Sequence, residues 1–442
     1  MNVNSSIKNT MALFWMIILV SCSQKIDPHN SPGETTTIGE NLDNYFTALT
    51  HLKKFNGVVL AYKNDSLVLE KSYNIDTDTN SSTFVTTDYQ FDIHSISKLM
   101  TNYLVIKLES EGQLKVNQTI DTFYPDFPQG KSIAIQMLLN HSSGLPRELY
   151  HFEGNEFDLT TNEIIELTKL QPLLFEPGAD TQYSNIGYEL IYDIISKTYH
   201  KPFAQCIVDE IFIPLKMNNS GAHFFSNAHH IKKLAKNHTL EDSTIVQVPN
   251  IMDDEFKTAR LYSTASDLNI FLNHIKEPPY SSIKKENNVI AKDGGSKGIR
   301  AQVYADLDHN FNFVLLANYD EMPFFNTIDD MVKILKSEPF EIPKELNRKA
   351  IHLPDDTLKK FTGAYSFADF NGLTLTIKTE NKNLVVFQNG EKIGTLKAET
   401  ETIFFENPKA PESFEFIQND IGTYDVLMGW KGITIEGKRE NN

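Results

Sequence analysis

The stretch Phe91–Thr101, FDIHSISKLMT, sets Ser95 three residues ahead of Lys98 and opens the run SKLMTNYLVIKLESEG. Within that run Leu99, Tyr103 and Ile106 recur at helical spacing and Gly112 ends the pattern, so the serine stands where a helix begins. A spacing of i, i+3 brings two side chains onto one helix face. A lysine so placed can take the serine proton and turn a weakly reactive hydroxyl into a nucleophile. The position also lies near the positive end of the helix dipole. Ser97 is not the lysine's partner, because adjacent residues stand about 100° apart on a helix of about 3.6 residues per turn.

Taken alone, S-x-x-K carries little weight, since it occurs at Ser5, Ser95, Ser281 and Ser282. Ser5 falls in an N-terminal leader and the last two in the polar run SSIKKENN, which leaves Ser95 as the one that opens an apolar helix. Y-x-N occurs at Tyr62 and Tyr183, and K-x-G at Lys292 and Lys392. Tyr62 precedes the serine in a strand hairpin, and Lys392 lies in a separate C-terminal β region. The remaining set runs in chain order: Ser95 and Lys98, then Tyr183 and Asn185, then Lys292 and Gly294. Singly, Ser95 reads as a helix N-cap, Tyr183 as a core aromatic and Lys292 as a solvated strand residue; the ordered set is what points to chemistry.

With those motifs the chain resembles the serine β-lactamase and penicillin-binding-protein superfamily. Within it, the resemblance is to the class C β-lactamase-like group of D-alanyl-D-alanine carboxypeptidases, D-amino-acid peptidases and esterases. IQMLLNHSSGLP, FEPGADTQYSNIGYELI, LYSTASDL and GGSKG extend the likeness over about residues 50–337, and the tail from LKKFTGAY resembles a lipocalin-like accessory domain. The resemblance implies an acyl-enzyme at Ser95, proton transfer by Lys98 and Tyr183, and an oxyanion hole from the amides of Ser95 and Gly295. It further implies that Asn185 hydrogen-bonds the substrate amide or Lys98, and that Lys292, followed by Gly294, binds a substrate carboxylate or tunes Tyr183. No cofactor and no metal are implied. Two departures stand out: Lys292 occupies a position where many relatives carry histidine, and Ala259-Arg260 replaces a usual Gly-Gly, putting a long cation near a cleft wall.

The implied fold is α/β (α+β): a β-lactamase-like antiparallel sheet flanked by helices, with a mainly helical insert, followed by a small antiparallel β-barrel. The residues agree with that outline. FNGVVLAY and SLVLEKSY read as a hairpin, helical spacing dominates about 95–285, and strands return at NVIAKDGG, GIRAQVYADL and NFNFVLLANY. Helical spacing in NTIDDMVKILKS closes a hydrolase domain over 41–337, and Pro339, Pro343 and Pro354 mark a linker over 338–354. Short alternating runs, one with an Asn389-Gly390 turn, fill 355–442.

Residues 1–21 read as a secretory signal peptide, with Lys8 ahead of the apolar run MALFWMIILV; that run is too short for a bilayer core, which needs about 20 residues. The ending L-V-S-C resembles a bacterial lipoprotein box, so Cys22 is expected to be acylated and 22–40 to form a flexible tether. The expected place is the bacterial cell envelope, lipid-anchored to a membrane on its periplasmic or surface side. Cys206 is the second of two cysteines and is left without a disulfide partner. A net charge of −17 disfavours nucleic acid. There is no H-E-x-x-H, and His229, His230 and His238 read as surface residues. The expected substrate is a small peptide, β-lactam or ester; the alternative is a catalytically silent, anchored protein that binds penicillin or cell-wall peptides.

Overall fold

In the computed structural model, the described residues are 36–150, 152, 159–223, 231, 233–248, 260–283, 286–367, 373–430 and 433–440. The leader, Cys22 and most of the expected tether lie outside them. Residues 38–40, read as the end of that tether, instead open helix α1 (Ile38–His51), whose Leu42, Tyr45, Phe46 and Leu49 are buried. Strands β1 (Gly57–Lys63) and β2 (Ser66–Tyr73) form the expected hairpin. Its turn residues Asn64 and Asp65 both take positive φ, a conformation these residue types tolerate.

Strand β3 (Phe91–Asp92) and helix α2 (Ser97–Ser110) follow, then the short α3 (Ile135–Leu139) and α4 (Thr161–Thr168). Helices α5 (Asn185–Tyr199) and α6 (Phe203–Ile207) complete the helical side. Four short strands interrupt it: β4 (Gly221–His223), β5 (His238–Glu241), β6 (Thr244–Gln247) and β7 (Arg260–Ser263). Helix α7 (Ala265–Ile275) precedes β8 (Val289–Ser296), β9 (Ile299–Asp306), β10 (Phe311–Ala317) and α8 (Phe324–Lys336).

The main sheet is antiparallel with order β2-β1-β10-β9-β8, so the chain's early hairpin is completed by strands some 240 residues later. Val58 and Leu60 of β1 and Val314 and Leu316 of β10 face a core shared with α2, α5 and α7. Val59, Ala61, Phe313 and Leu315, which alternate with them, face a second core under α1 and α8. Burial on both faces explains why these two strands read as continuous apolar runs rather than as alternating ones. Each large side chain so buried contributes about 1.5–3 kcal/mol. Among the described residues β8 is an edge strand of this sheet, and it packs against residues 94–96.

After helix α9 (Asp355–Lys359), eight strands from β11 (Gly363–Phe367) to β18 (Ile433–Arg439) close into an antiparallel barrel. Its interior is a separate cluster that includes Phe361, Tyr365, Phe404 and Phe416. Full closure leaves no sheet edge to pair with another chain.

Candidate active site

Strand β3 pairs with β7 and delivers the chain into a single 3-10 turn, His94–Ile96, that runs directly into α2. Ser95 thus sits just ahead of the helix, with Lys98 in its first turn. Lys98 Nζ lies 3.5 Å from Ser95 Oγ, and the Tyr183 hydroxyl lies 2.9 Å from the same oxygen. The i, i+3 spacing therefore does bring serine and lysine together, and a tyrosine 88 residues away completes the triangle.

Tyr183 and Asn185 flank the N-cap of α5. Ser184 Oγ accepts from the Gly187 amide at 3.0 Å and donates to the Pro146 carbonyl at 2.7 Å, which pins the helix start against the Leu145-Pro146 segment. The His141 ring packs against Tyr183 at a tilt of 36° with centroids 4.4 Å apart, and its Nδ1 accepts from the Ser184 amide. Asn185, expected near Lys98 or the substrate, donates to Glu148 Oε1 at 2.6 Å.

Lys292 and Gly294 lie on β8, whose residues pack against the Ser95 turn. A Cβ on Gly294 would stand 2.5 Å from the Ile93 carbonyl oxygen and 3.1 Å from the Ser95 amide nitrogen, so only glycine allows this approach. Gly295 turns the other way, toward Ile299 and Arg300. Lys292 Nζ, Lys98 Nζ and the Arg147 guanidinium carbon all stand over the Tyr183 ring, 5.3, 5.3 and 5.1 Å from its centroid. Three cationic side chains thus gather round Tyr183, with Asp293 3.4 Å from Lys292 and Glu148 3.5 Å from Arg147, in a chain of net charge −17.

These surroundings set the protonation states. Lys98 is 7% exposed; burial first, and then the Lys292 charge, bring its pKa down to about 7. Burial raises the Tyr183 phenol above its ordinary value, partly offset by its bond to Ser95. Glu189 on α5 is pushed up to about 7 by burial, with Thr161 donating to it at 2.9 Å. A lysine with a pKa of about 7 is about half neutral at that pH and can accept a proton, while a phenol whose pKa is raised keeps its own.

Sequence reading misses several neighbours. Arg260 does not line a cleft wall: its side chain is 14% exposed and turns inward to Asp92 and His94. His238 is not a surface residue. It is buried in β5, where its amide donates to the Asn318 carbonyl and its Nε2 lies 2.9 Å from Ser82 Oγ. His229 and His230 lie outside the described residues. Among the described residues no group of three or more His, Cys, Asp or Glu could hold a metal ion.

The architecture and site together match a known family. The Beta-lactamase family model covers residues 42–312, well over half of the chain, and the chain belongs to that family. Penicillin-binding protein 4* of Bacillus subtilis (strain 168) is 24% identical over 418 residues, 83% of this chain and 91% of that protein. Teichoic acid D-alanine hydrolase of Staphylococcus aureus (strain NCTC 8325 / PS 47) is 24% identical over 244 residues, 55% of this chain and 60% of the relative. The crystal structure of the D-amino acid amidase from Ochrobactrum anthropi SV3 superposes with a TM-score of 0.56 at 19% identity, over 68% of this chain and 99% of that one. At that identity the structural likeness speaks for the fold.

Proposed function

We propose that the protein is a serine hydrolase that forms an acyl-enzyme at Ser95 and releases it to water, acting on amide or ester bonds. The observation that carries this reading is the convergence of Lys98 Nζ and the Tyr183 hydroxyl on Ser95 Oγ. Neutral Lys98 takes the Ser95 proton while the oxygen bonds to the substrate carbonyl carbon. The developing oxyanion is received by the backbone amides of Ser95 and Gly295. Tyr183 gives its proton to the leaving group as that bond breaks and recovers one from Lys98. In the second half, water attacks the acyl carbon, and the same two groups return the proton to Ser95 Oγ. Such general acid–base steps are worth about 10²- to 10⁴-fold each.

The charges round Tyr183 support a substrate class. Lys292 and Arg147 flank Tyr183, and a cation beside the nucleophile favours substrates with a carboxylate close to the scissile carbonyl. D-alanyl-D-alanine peptides and β-lactams have that form. The names of the Staphylococcus hydrolase and the Ochrobactrum amidase support D-amino acids as the acyl group. Anchoring to the bacterial envelope through acylated Cys22 belongs to the same reading and rests on the L-V-S-C sequence alone.

The test is intact-mass analysis over time after mixing with a β-lactam and with a fluorophosphonate. A hydrolase gains the β-lactam acyl mass and then loses it, while the fluorophosphonate adduct persists. A β-lactam adduct that never decays would favour a silent binding protein, and no adduct with either probe would refute both.

A further inference from the structure

Behind the nucleophile lies a second hydrogen-bonded set that the mechanism above leaves unused. Asp92 is fully buried at the end of β3, accepting from the His94 amide at Oδ1 and from Arg260 Nη2 at Oδ2, both at 2.9 Å. The same Nη2 lies 2.8 Å from His94 Nδ1. A guanidinium only donates, so Nδ1 must offer its lone pair, and a neutral ring then carries its one proton on Nε2. Burial keeps that ring neutral, helped by the charges of Arg260, Lys98 and Arg300 against the opposing pull of Asp92; its pKa falls to about 4. Nε2 lies 3.2 Å from Ser296 Oγ and 3.4 Å from Asp92 Oδ2, and both can accept.

Ser296 ends the edge strand β8 and is exposed. Side chains alternate along a strand, so Lys292, Gly294 and Ser296 share one face. That is the face on which a Gly294 Cβ would reach the Ser95 amide. Lys292 and Ser296 are four residues apart, about 13 Å of extended chain, with the nucleophile turn between them. An Oγ that accepts from His94 keeps its own proton for another partner.

On the serine-hydrolase reading above, we propose that Ser296 is a substrate-binding residue that donates to an acceptor oxygen on the acyl side of the substrate. Asp92, Arg260 and His94 are the positioning residues that leave its proton free to do so. The substrate that fits is an acyl donor with a carboxylate toward Lys292 and an amide carbonyl, or an equivalent acceptor, on the far side of the scissile carbonyl.

Gly294–Gly298 also spells G-x-S-x-G, and a serine facing a histidine near an aspartate has the look of a nucleophile and its base. The polarity is the reverse. Arginine rather than carboxylate holds Nδ1, the Nε2 proton points at Ser296, and the motif forms a hairpin turn between two strands instead of a strand-to-helix elbow.

The test pairs two measurements. The first compares m-carboxyphenyl acetate with m-carboxyphenyl N-acetylglycinate, which share a leaving group and differ in an acyl-side amide. Ser296→Ala should lower kcat/KM about tenfold for the N-acetylglycinate and no more than about threefold for the acetate, with Ser296→Thr restoring most of the loss. Equal losses on both esters, or none on either, would overturn the role. The second is long-range ¹⁵N NMR of histidine-labelled wild-type protein, with His94 assigned from the resonance missing in His94→Gln. Nδ1 bare and Nε2 protonated from pH 5.5 to 8 is expected; the opposite tautomer, or titration in that range, would overturn the positioning. Absence of any ester turnover by wild type would instead refute the hydrolase reading and with it the substrate role of Ser296, and the tautomer would then test the His94 arrangement by itself.

Discussion

Replacing Lys292 by alanine tests how the cleft prepares its base. Lys98 and Lys292 each lie 5.3 Å from the Tyr183 centroid, so their charges are no more than 10.6 Å apart. Two unit charges about 10.6 Å apart repel by about 1.6 kcal/mol at an effective dielectric of about 20, and by about 0.4 kcal/mol at that of water. At about 1.36 kcal/mol per pKa unit, and with 10.6 Å the greatest separation, removing Lys292 should raise the Lys98 pKa by at least roughly 0.3 to 1.2 units. Neutral Lys98 is the active form, so activity rises with pH through its pKa, and the variant's acidic limb should move to higher pH by that amount. The assay is kcat/KM for a neutral methyl ester between pH 5 and 9, beside the matching acid. The wild-type limb should fall near pH 7. The acid should lose a further 1.5 to 3 kcal/mol, the approximate worth of a hydrogen bond to a charged group. Lys292→Arg should keep the limb in place. A limb that stays or moves to lower pH in Lys292→Ala would refute the electrostatic reasoning, and equal losses for acid and ester would refute carboxylate recognition.

Lys98→Ala and Tyr183→Phe should each cut turnover by about 10²- to 10⁴-fold with thermal unfolding little changed, and near wild-type turnover in both would exclude proton transfer by these groups. Gly294→Ala forces a methyl to within 2.5 Å of the Ile93 carbonyl oxygen. Acylation should slow by about tenfold or more, because small misplacements at a reacting centre are costly; stopped-flow acylation rates equal to wild type would contradict that packing. Cys22→Ala should release the protein from membranes or stall its processing, since several acyl chains at about 0.8 kcal/mol per buried CH₂ would otherwise hold it. Unchanged fractionation and processing would rule out the anchor.

Ser95, Lys98, Tyr183 and Lys292 were legible because spacing and order carry them: a helix sets the first pair, an N-cap presents the tyrosine, and an edge strand presents the lysine. The hairpin and barrel were legible for a similar reason, their turns and alternation being local. Helix α1 also had a local signal, since Leu42, Tyr45, Phe46 and Leu49 repeat at helical spacing, but the polar stretch before it drew the tether boundary too late. Arg260 and His94 are different. They meet across 166 residues, and nothing in either segment says that the guanidinium turns inward to a buried aspartate. His238 is likewise buried by strand contacts from distant segments, so its polar neighbours in sequence mislead. The GGSKG run spells two motifs at once, and the hairpin between β8 and β9 decides between them.

The central claim is that Ser95 carries the acyl group. Wild-type protein and Ser95→Ala should be incubated with a fluorophosphonate, digested, and mapped by tandem mass spectrometry. The adduct is expected on the peptide containing Phe91–Lys98, at Ser95, and at no residue in Ser95→Ala. An adduct on Ser296 or another serine, or labelling of Ser95→Ala at the wild-type level, would contradict the account.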